Sequence, residues 1–491
     1  MSPEPITPPE GPARRGPRRA VSAGLAFLLV VLAVALGAGG WALWARTGAD
    51  DGPGLRDTVE KVPADTAAES LFTIDAPELR TNWSARSIGS WATESTYVKT
   101  GHATVDAYAV EDGERRWRLS LPGEACAAAQ HVTSEGLTAV VTHPERRHKR
   151  RPDLSCDQLV VFDVDNGRKV WQTTLARVRA TEIPGSVSVG HGVVVASWYE
   201  GAAAYRVDDG EALWTRSYPD ACPYSRPRFT GGTALVGIGR FCTEARPRAE
   251  REVRKVDPRT GRDEWIWRIP DEYITAGVLS NDPVTVAVSR LDPDDDHEET
   301  LMTHVVSLDD EGKPRAVIPV DDRFDIHYWD SRQHTHATTD DTLFLPVRQT
   351  EKTMYADEIV AIDLDTGKVR KRFPAQPGRH LAPLRMNGDR LLALQVDHRA
   401  EKVVKVFAID PATGEKTLML RAATKDEDIQ SMMRIDSAFY SEALFQHGRL
   451  FFSRSATAGP YRAPRPIGSR TRPPVEAGDR YTAVAFGVPT R

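Results

Sequence analysis

The chain has 491 residues, of which 40% are hydrophobic and 27% are charged, and its formal net charge at pH 7 is −5. These values are typical of a globular protein with one large or two medium cores, and they exclude extended disorder and collagen-like structure. The small net charge also predicts no strongly basic surface, so nucleic acid is not expected as a partner.

The N-terminus predicts a membrane anchor. Residues 20–45 contain no charged side chain, and a helix of that length exceeds the ~30 Å hydrocarbon core of a bilayer. Arginines precede this run and aspartates follow it, so the N-terminus is expected in the cytoplasm and the rest outside. A cleaved signal peptide is the alternative, but its apolar core should span only ~7–15 residues. We therefore predict a single-pass protein of the cell membrane, with a cytoplasmic tail (1–19), a transmembrane helix (20–45) and a flexible linker (46–75).

A short phrase recurs along the rest of the chain at intervals of about fifty residues. Each copy reads as a strand, a tight turn and a second strand, and another alternating apolar run precedes it, such as "GVVVASW" at 192–198. The turn glycines are Gly113, Gly167, Gly210, Gly261, Gly312, Gly367 and Gly414. Units of this kind, with no amphipathic helix between them, predict an all-β propeller of four-stranded blades.

Two further positions of the phrase have predicted structural roles. An aspartate four residues before the glycine can accept backbone N–H groups of the turn; these are Asp163, Asp257, Asp363 and Asp410. A tryptophan four residues after the glycine is predicted to pack between adjacent blades with its N–H bonded to backbone; these are Trp117, Trp171, Trp214 and Trp265. Stacking on a ligand is the alternative for the tryptophans.

The last unit of the repeat is incomplete. Residues 448–455 and 480–488 resemble two inner strands, but the chain stops before another turn. We predict that residues 79–89 supply the missing outer strand, because a closed ring removes exposed sheet edges. Seven complete turns and one incomplete unit predict eight blades in a domain at 76–491, with seven blades as the alternative.

The phrase A/V-x-D-x-x-T-G-x-x-x-W, matched best at "AIDLDTGK" (361–368) and "FAIDPATGEK" (407–416), resembles the PQQ-like (pyrroloquinoline-quinone) β-propeller repeat. The resemblance covers roughly residues 80–490. That family includes quinoprotein alcohol dehydrogenases, a lipoprotein of outer-membrane protein assembly and the sensor halves of some actinobacterial membrane Ser/Thr kinases. The anchored propeller is similar to membrane-anchored proteins of the actinobacterial type. The resemblance therefore implies a fold and leaves the function open.

The resemblance implies two competing functions. Quinoprotein dehydrogenases of the family hold PQQ beneath a disulfide of adjacent cysteines, together with Ca²⁺, whereas no two cysteines here are adjacent and none of their catalytic positions is matched. We therefore expect no cofactor, no metal and no catalytic residues. The prediction is a membrane-anchored, extracytoplasmic binding or assembly module for a protein or cell-envelope polymer, and a PQQ-dependent quinoprotein oxidoreductase is the alternative.

Four cysteines in an exported domain predict two disulfides. Aligned on the turn glycines, Cys126 and Cys222 occupy nearly the same place in two different units. Their companions, Cys156 and Cys242, each lie in the variable hairpin of the same unit. This register predicts the pairs Cys126–Cys156 and Cys222–Cys242.

Binding is expected on the long hairpin loops, because equivalent loops of a propeller emerge on one face. One loop is basic, "HPERRHKRR" at 143–151, one is acidic, "LDPDDDHEE" at 291–299, and the segment 461–474 is rich in arginine and proline. Solvated charge is the plain alternative. The predicted binding residues are Arg146, Arg147, Lys149, Arg150 and Arg151, and the propeller is predicted to be monomeric.

Overall fold

A computed structural model gives the structure of the chain from residue 54 onward. The described residues are 54–144, 155–176, 185–198, 201–217, 227–243, 246–290, 302–326, 336–350, 355–376, 378–397, 402–433, 441–463 and 475–489. They fall in one compact unit, Gly52–Arg491. The predicted tail (1–19) and transmembrane helix (20–45) lie outside the described residues. No helix within the described part is long and apolar enough to cross a membrane.

The described residues form 36 strands and one short helix. The strands of the first half are β1 (Glu69–Asp75), β2 (Ser84–Arg86), β3 (Ser90–Ala92), β4 (Thr96–Thr100), β5 (Thr104–Ala109), β6 (Arg115–Ser120), β7 (Ala125–Ala128), β8 (Leu137–Thr142), β9 (Gln158–Asp163), β10 (Lys169–Thr174), β11 (Ser186–Gly190), β12 (Val193–Trp198), β13 (Gly201–Arg206), β14 (Ala212–Ser217), β15 (Arg228–Thr230), β16 (Leu235–Thr243), β17 (Arg246–Val256) and β18 (Asp263–Arg268).

The strands of the second half are β19 (Tyr273–Asn281), β20 (Val284–Arg290), β21 (His304–Leu308), β22 (Pro314–Pro319), β23 (Ala337–Thr338), β24 (Thr342–Val347), β25 (Glu358–Asp363), β26 (Val369–Pro374), β27 (Arg379–Asn387), β28 (Arg390–Asp397), β29 (Lys402–Ile409), β30 (Lys416–Thr424), β31 (Ser441–Gln446), β32 (Arg449–Arg454), β33 (Ala456–Ala458), β34 (Tyr461–Arg462), β35 (Val475–Glu476) and β36 (Tyr481–Gly487). The helix is α1 (Glu427–Met432), which lies between β30 and β31.

Eight antiparallel sheets of four strands form an eight-bladed β-propeller, which confirms the predicted all-β class and blade number. Blades 1 to 7 each use four consecutive strands, from β3–β6 to β27–β30. The middle strands are almost fully buried, whereas the last strand of a blade exposes alternate residues, as β10 does. The last strand therefore lies at the rim of the ring, and hydrophobic clusters fill the spaces between neighbouring blades.

Blade 8 is closed by an N-terminal strand, but not by the predicted one. Its order is β31, β32, β36 and β1, so the outer strand is β1, with Phe72 opposite Ala485. Residues 79–89 were predicted to take this place; instead, their strand β2 pairs with β33 in a separate small sheet. The prediction was wrong because β1 buries only one side chain, Phe72, and so lacks an alternating pattern in the sequence.

The described part of the predicted flexible linker also differs from the prediction. Residues 54–68, which we call the strap, are fixed on the propeller by side-chain and backbone hydrogen bonds. Arg56 forms a two-bonded ion pair with Asp165 of blade 2, at 2.8 and 2.9 Å. Glu60 accepts the N–H groups of His447 and Gly448 in blade 8, each at 2.8 Å. The strap therefore joins blade 2 to blade 8, and its contacts lie far away in the sequence.

The repeat tryptophans pack between blades, as predicted. Each ring covers the turn glycine of the following blade: a Cβ on Gly261 (φ +68°) would lie 2.7 Å from the Trp214 ring, so only glycine fits there. The indole N–H groups of Trp171 and Trp214 donate to Val207 O and Pro258 O, both at 2.8 Å. Trp117 and Trp265, in contrast, have no acceptor for this group among the described residues. Packing is therefore the shared role, and the hydrogen bond accompanies it in two of the four.

The turn aspartates also act as predicted. The Oδ1 atom of Asp363 accepts the N–H groups of Asp365 at 3.0 Å and Thr366 at 2.7 Å. A hydrogen bond from the Arg370 side chain, aided by Thr366, lowers the pKa of Asp363 to about 2. The carboxylate is therefore ionised at neutral pH and holds the turn.

Candidate functional site

The two faces of the propeller differ in their connections. Successive strands of a blade run antiparallel, so the glycine turns of all blades lie on one face and the loops between second and third strands lie on the other. We call these the turn face and the loop face. The loop face carries the connections 143–157, 243–246 and 455–480, and it is where the sequence predicts binding.

The predicted binding residues Arg146, Arg147, Lys149, Arg150 and Arg151 lie outside the described residues, and so does the acidic loop 291–299. Both ends of the connection 143–157, which contains the basic loop, are described: His143 follows β8, and Ser155 precedes β9. The loop therefore leaves and re-enters blade 2 on the loop face, and the role of its side chains stays a prediction.

A disulfide ties the base of this loop to the propeller. Cys126 in β7 is bonded to Cys156 just before β9, with 6.3 Å between the Cα atoms. This is the first of the two predicted pairs, and it links the first strand of blade 2 to the end of the basic loop. Cys222 lies outside the described residues, so the pair Cys222–Cys242 stays a prediction.

His143 lies directly beside this disulfide. Its Nδ1 atom is 2.9 Å from the carbonyl oxygen of Ser155. The Sγ atom of Cys156 is 3.7 Å from Nδ1 and 3.9 Å from Nε2. Among the described residues, Cys126, His143 and Cys156 form the one group of three that is close enough to share a metal ion. His143 was not predicted as a site residue, although its position in a hairpin bounded by cysteines was visible in the sequence.

A charged cleft lies on the loop face of blade 4. The hairpin of β16 and β17 is the longest of the described hairpins, and Arg240 lies directly opposite Arg251 on it. These two arginines line a cleft of about 450 Å³ with Glu250, Arg268 and Asp271. Burial, followed by the charge of Arg240, lowers the pKa of Arg251. Like charges placed opposite each other are unfavourable in a sheet, and here the charge of Asp271 acts in the opposite direction on the pKa of Arg251, while Glu250 pairs with Arg268 at 3.0 Å.

A second surface on the loop face is aromatic. The Trp83 side chain is 59% exposed beside β2, and the guanidinium carbon of Arg80 lies 5.7 Å from its ring centre. Asn82 fixes the backbone here, because its side chain accepts from Arg462 N at 2.7 Å and donates to Arg462 O at 3.1 Å. Tyr461, 48% exposed, is the neighbour of Arg462 in the chain. We call Trp83, Arg80 and Tyr461 the aromatic patch.

The aromatic patch and the charged cleft have the composition of a protein-binding surface. Trp, Tyr and Arg are enriched at protein interfaces and dominate their binding energy. The anchoring of Asn82 fixes the backbone beside Trp83, so little backbone entropy is lost when a partner covers the ring. The described geometry is therefore suited to binding a protein on the loop face.

Comparison with known proteins gives a match to one family model over part of the chain. Residues 33–266 match the family model PQQ_2, described as outer membrane protein assembly factor BamB, which is slightly less than half of the chain. Similar solved structures include BamB from Moraxella catarrhalis, with 12% identity over 83% of this chain and 98% of that chain and a TM-score of 0.44. Hydrazine synthase from Kuenenia stuttgartiensis has 12% identity over 74% and 97%, with a TM-score of 0.36. The computationally designed Ika8 protein has 10% identity over 84% and 100%, with a TM-score of 0.45. No curated protein sequence matches the chain.

Proposed function

We propose that this chain, a PQQ-like β-propeller, is a membrane-anchored binding or assembly module that binds a protein of the cell envelope on its loop face. The observation that carries the proposal is the match of residues 33–266 to a family described as an assembly factor. The aromatic patch and the charged cleft support it, because both lie on the face with the longest loops. No particular contact of the described residues favours the PQQ-dependent oxidoreductase.

The proposed position is a single-pass anchor in the cell membrane, with the propeller outside the cytoplasm. It rests on the uncharged run 20–45 and the arginines before it. Protease added to spheroplasts is expected to degrade the propeller and to leave only a short N-terminal fragment protected. Full protection of residues 76–491, with an internal cytoplasmic control also protected, would contradict this topology.

Photo-crosslinking in cells tests the binding surface. A photoreactive amino acid at position 83 of the full chain is expected to give a discrete crosslinked protein band. The matched control is position 369, where Val369 is 44% exposed at the turn-face end of the rim strand β26. Crosslinks of equal yield at both positions, or at position 369 alone, would show that the loop face is not the binding surface. A crosslinked species that resists protease and is removed by glycan-degrading enzymes would identify a polymer in place of a protein.

A further inference from the structure

We propose that Cys126, Cys156 and His143 form a zinc site when the disulfide is reduced, and that the metal then ties the basic loop to blade 2. The proposed metal site stands on the geometry of the three side chains alone. The consequence, that the metal would control the basic loop predicted to bind a partner, is the part that rests on the proposed function.

The distances fit tetrahedral coordination. With Zn–S of about 2.3 Å and Zn–N of about 2.0–2.1 Å, two ligand atoms on a tetrahedron are separated by roughly 3.6 Å for sulfur and nitrogen. The Sγ atom of Cys156 already lies 3.9 Å from Nε2 of His143. The three ligand atoms all lie within 4.8 Å of one another. Only the two sulfur atoms must move apart, and side-chain rotation can provide this because their Cα atoms are 6.3 Å apart.

The hydrogen bond of His143 prepares the ring for a metal. With Nδ1–H donating to Ser155 O at 2.9 Å, the proton is on Nδ1 and the lone pair is on Nε2. Histidines that bind metals usually donate their other ring N–H to a carbonyl or carboxylate, which fixes the tautomer and the ring orientation. This bond is independent of the cysteines, and it belongs to the backbone that leads from the basic loop into β9. Cys126 and Cys156 are both buried, whereas His143 is partly exposed, so solvent reaches the site from the side of the histidine.

The chemistry is balanced by a dithiol or phosphine reductant. A dithiol supplies two electrons and two protons and is itself oxidised to a disulfide, whereas a phosphine takes the oxygen of one water molecule to become a phosphine oxide and that water supplies the two protons. In both cases the S–S bond of the protein breaks and two thiols form. Binding of Zn²⁺ then releases both thiol protons to solvent and forms two Zn–S bonds and one Zn–N bond. A water molecule can occupy the fourth position, as in other three-ligand zinc sites. The disulfide and the metal are thus alternative cross-links between Cys126 and Cys156.

Cobalt binding tests the site on the purified full chain in detergent. After reduction with a phosphine, about one equivalent of Co²⁺ is expected to produce a thiolate-to-cobalt absorption band that Zn²⁺ removes. The oxidised protein should give no such band. The Cys126→Ser/Cys156→Ser variant, which keeps Cys222 and Cys242, measures the contribution of the other cysteines. A reduced wild type that gives no more absorption than this variant would overturn the proposal.

The histidine is tested separately. His143→Ala is expected to weaken Co²⁺ binding by the reduced protein at least about 10-fold, whereas His102→Ala, at an exposed histidine near Glu124, should leave it unchanged. Circular dichroism of both variants checks that they remain folded. Equal affinities of His143→Ala and wild type would show that the cysteines bind the metal without His143 and would overturn the three-residue site. Since no partner is present, failure here is distinct from failure of the proposed function.

Discussion

Replacing Glu442 by alanine is expected to lower the free energy of unfolding by about 3–5 kcal/mol, the usual cost of breaking a buried ion pair. Glu442 lies on β31, with its side chain 9% exposed, and its Oε2 atom is 3.4 Å from the Nζ atom of Lys99, which is 2% exposed. The hydroxyl of Ser90 donates to the same oxygen at 2.7 Å. The alanine variant therefore removes the carboxylate from a buried ammonium and from a buried hydroxyl.

This ion pair lies at the seam where the ring closes. Lys99 and Ser90 belong to blade 1, and Glu442 belongs to blade 8. Next to them, the rings of Tyr97 and Phe451 stack at 4.5 Å with an angle of 8° between their planes. The backbone between β1 of blade 8 and β3 of blade 1 links the two blades covalently at the rim, and side-chain contacts such as these hold the inner strands of the first and last blades together. Loss of the pair should therefore weaken the closed ring itself.

Thermal and urea unfolding of the full chain measure this effect. The matched control is Glu415→Ala, at an exposed position in a glycine turn, which should change stability by no more than about 0.5 kcal/mol. The double variant Lys99→Met/Glu442→Gln removes both charges and keeps an acceptor for Ser90, and it should recover at least half of the loss. If Glu442→Ala unfolds like Glu415→Ala, the buried pair does not stabilise the seam.

Glu60→Ala is expected to release the strap from the propeller. The carboxylate of Glu60 is almost fully buried, accepts two backbone N–H groups and lies 3.1 Å from Arg385 Nη2. Hydrogen bonds to a charged group contribute about 1.5–3 kcal/mol each, less the rehydration of groups that become exposed. We expect a net loss of about 3 kcal/mol of docking free energy, which corresponds to roughly 100-fold faster amide exchange in the strap.

Hydrogen exchange by mass spectrometry follows the strap directly, because peptides within 54–68 report it alone. The amide of Glu60, which donates to Asn387 Oδ1 at 2.6 Å, should lose its protection first. Glu94→Ala is the control, since Glu94 is an exposed residue in the cleft beside the strap. Unchanged exchange in Glu60→Ala would mean that the other contacts of the strap, such as the ion pair of Arg56 with Asp165 and the backbone bonds to Asn387, hold it without the Glu60 carboxylate.

The repeat made most of the fold predictable. The glycine turns, their aspartates and the four tryptophans recur at fixed spacing, and each spacing reflects a local contact or a contact with the next blade. The closing strand was not predictable in this way, because Phe72 is its one buried side chain. Phe72 takes the place of a repeat tryptophan, since a Cβ on Gly113 would lie 2.6 Å from it, but no glycine turn precedes it in the sequence.

The strap and the candidate site depend on contacts that no local pattern encodes. Glu60 contacts Arg385 and His447, which lie more than 300 positions away in the sequence. The strap was therefore predicted to be part of a flexible linker. Similarly, His143 was assigned to a charged loop. Its proximity to Cys126 and Cys156 follows from the pairing of β7, β8 and β9, which no local sequence pattern shows. The exposure of Trp83 could not be predicted either, since the residue was assigned to the closing strand.

The affinity of the full chain for the protein crosslinked at position 83 tests the central claim most directly. Trp83→Ala is expected to weaken this affinity about 30-fold, since a central tryptophan contributes 2 kcal/mol or more to a protein interface. Val369→Ala, on the turn face, should bind like the wild type, and neither change should alter thermal unfolding, because both side chains are exposed. A Trp83→Ala protein that stays folded and binds as tightly as Val369→Ala would contradict binding through the loop face.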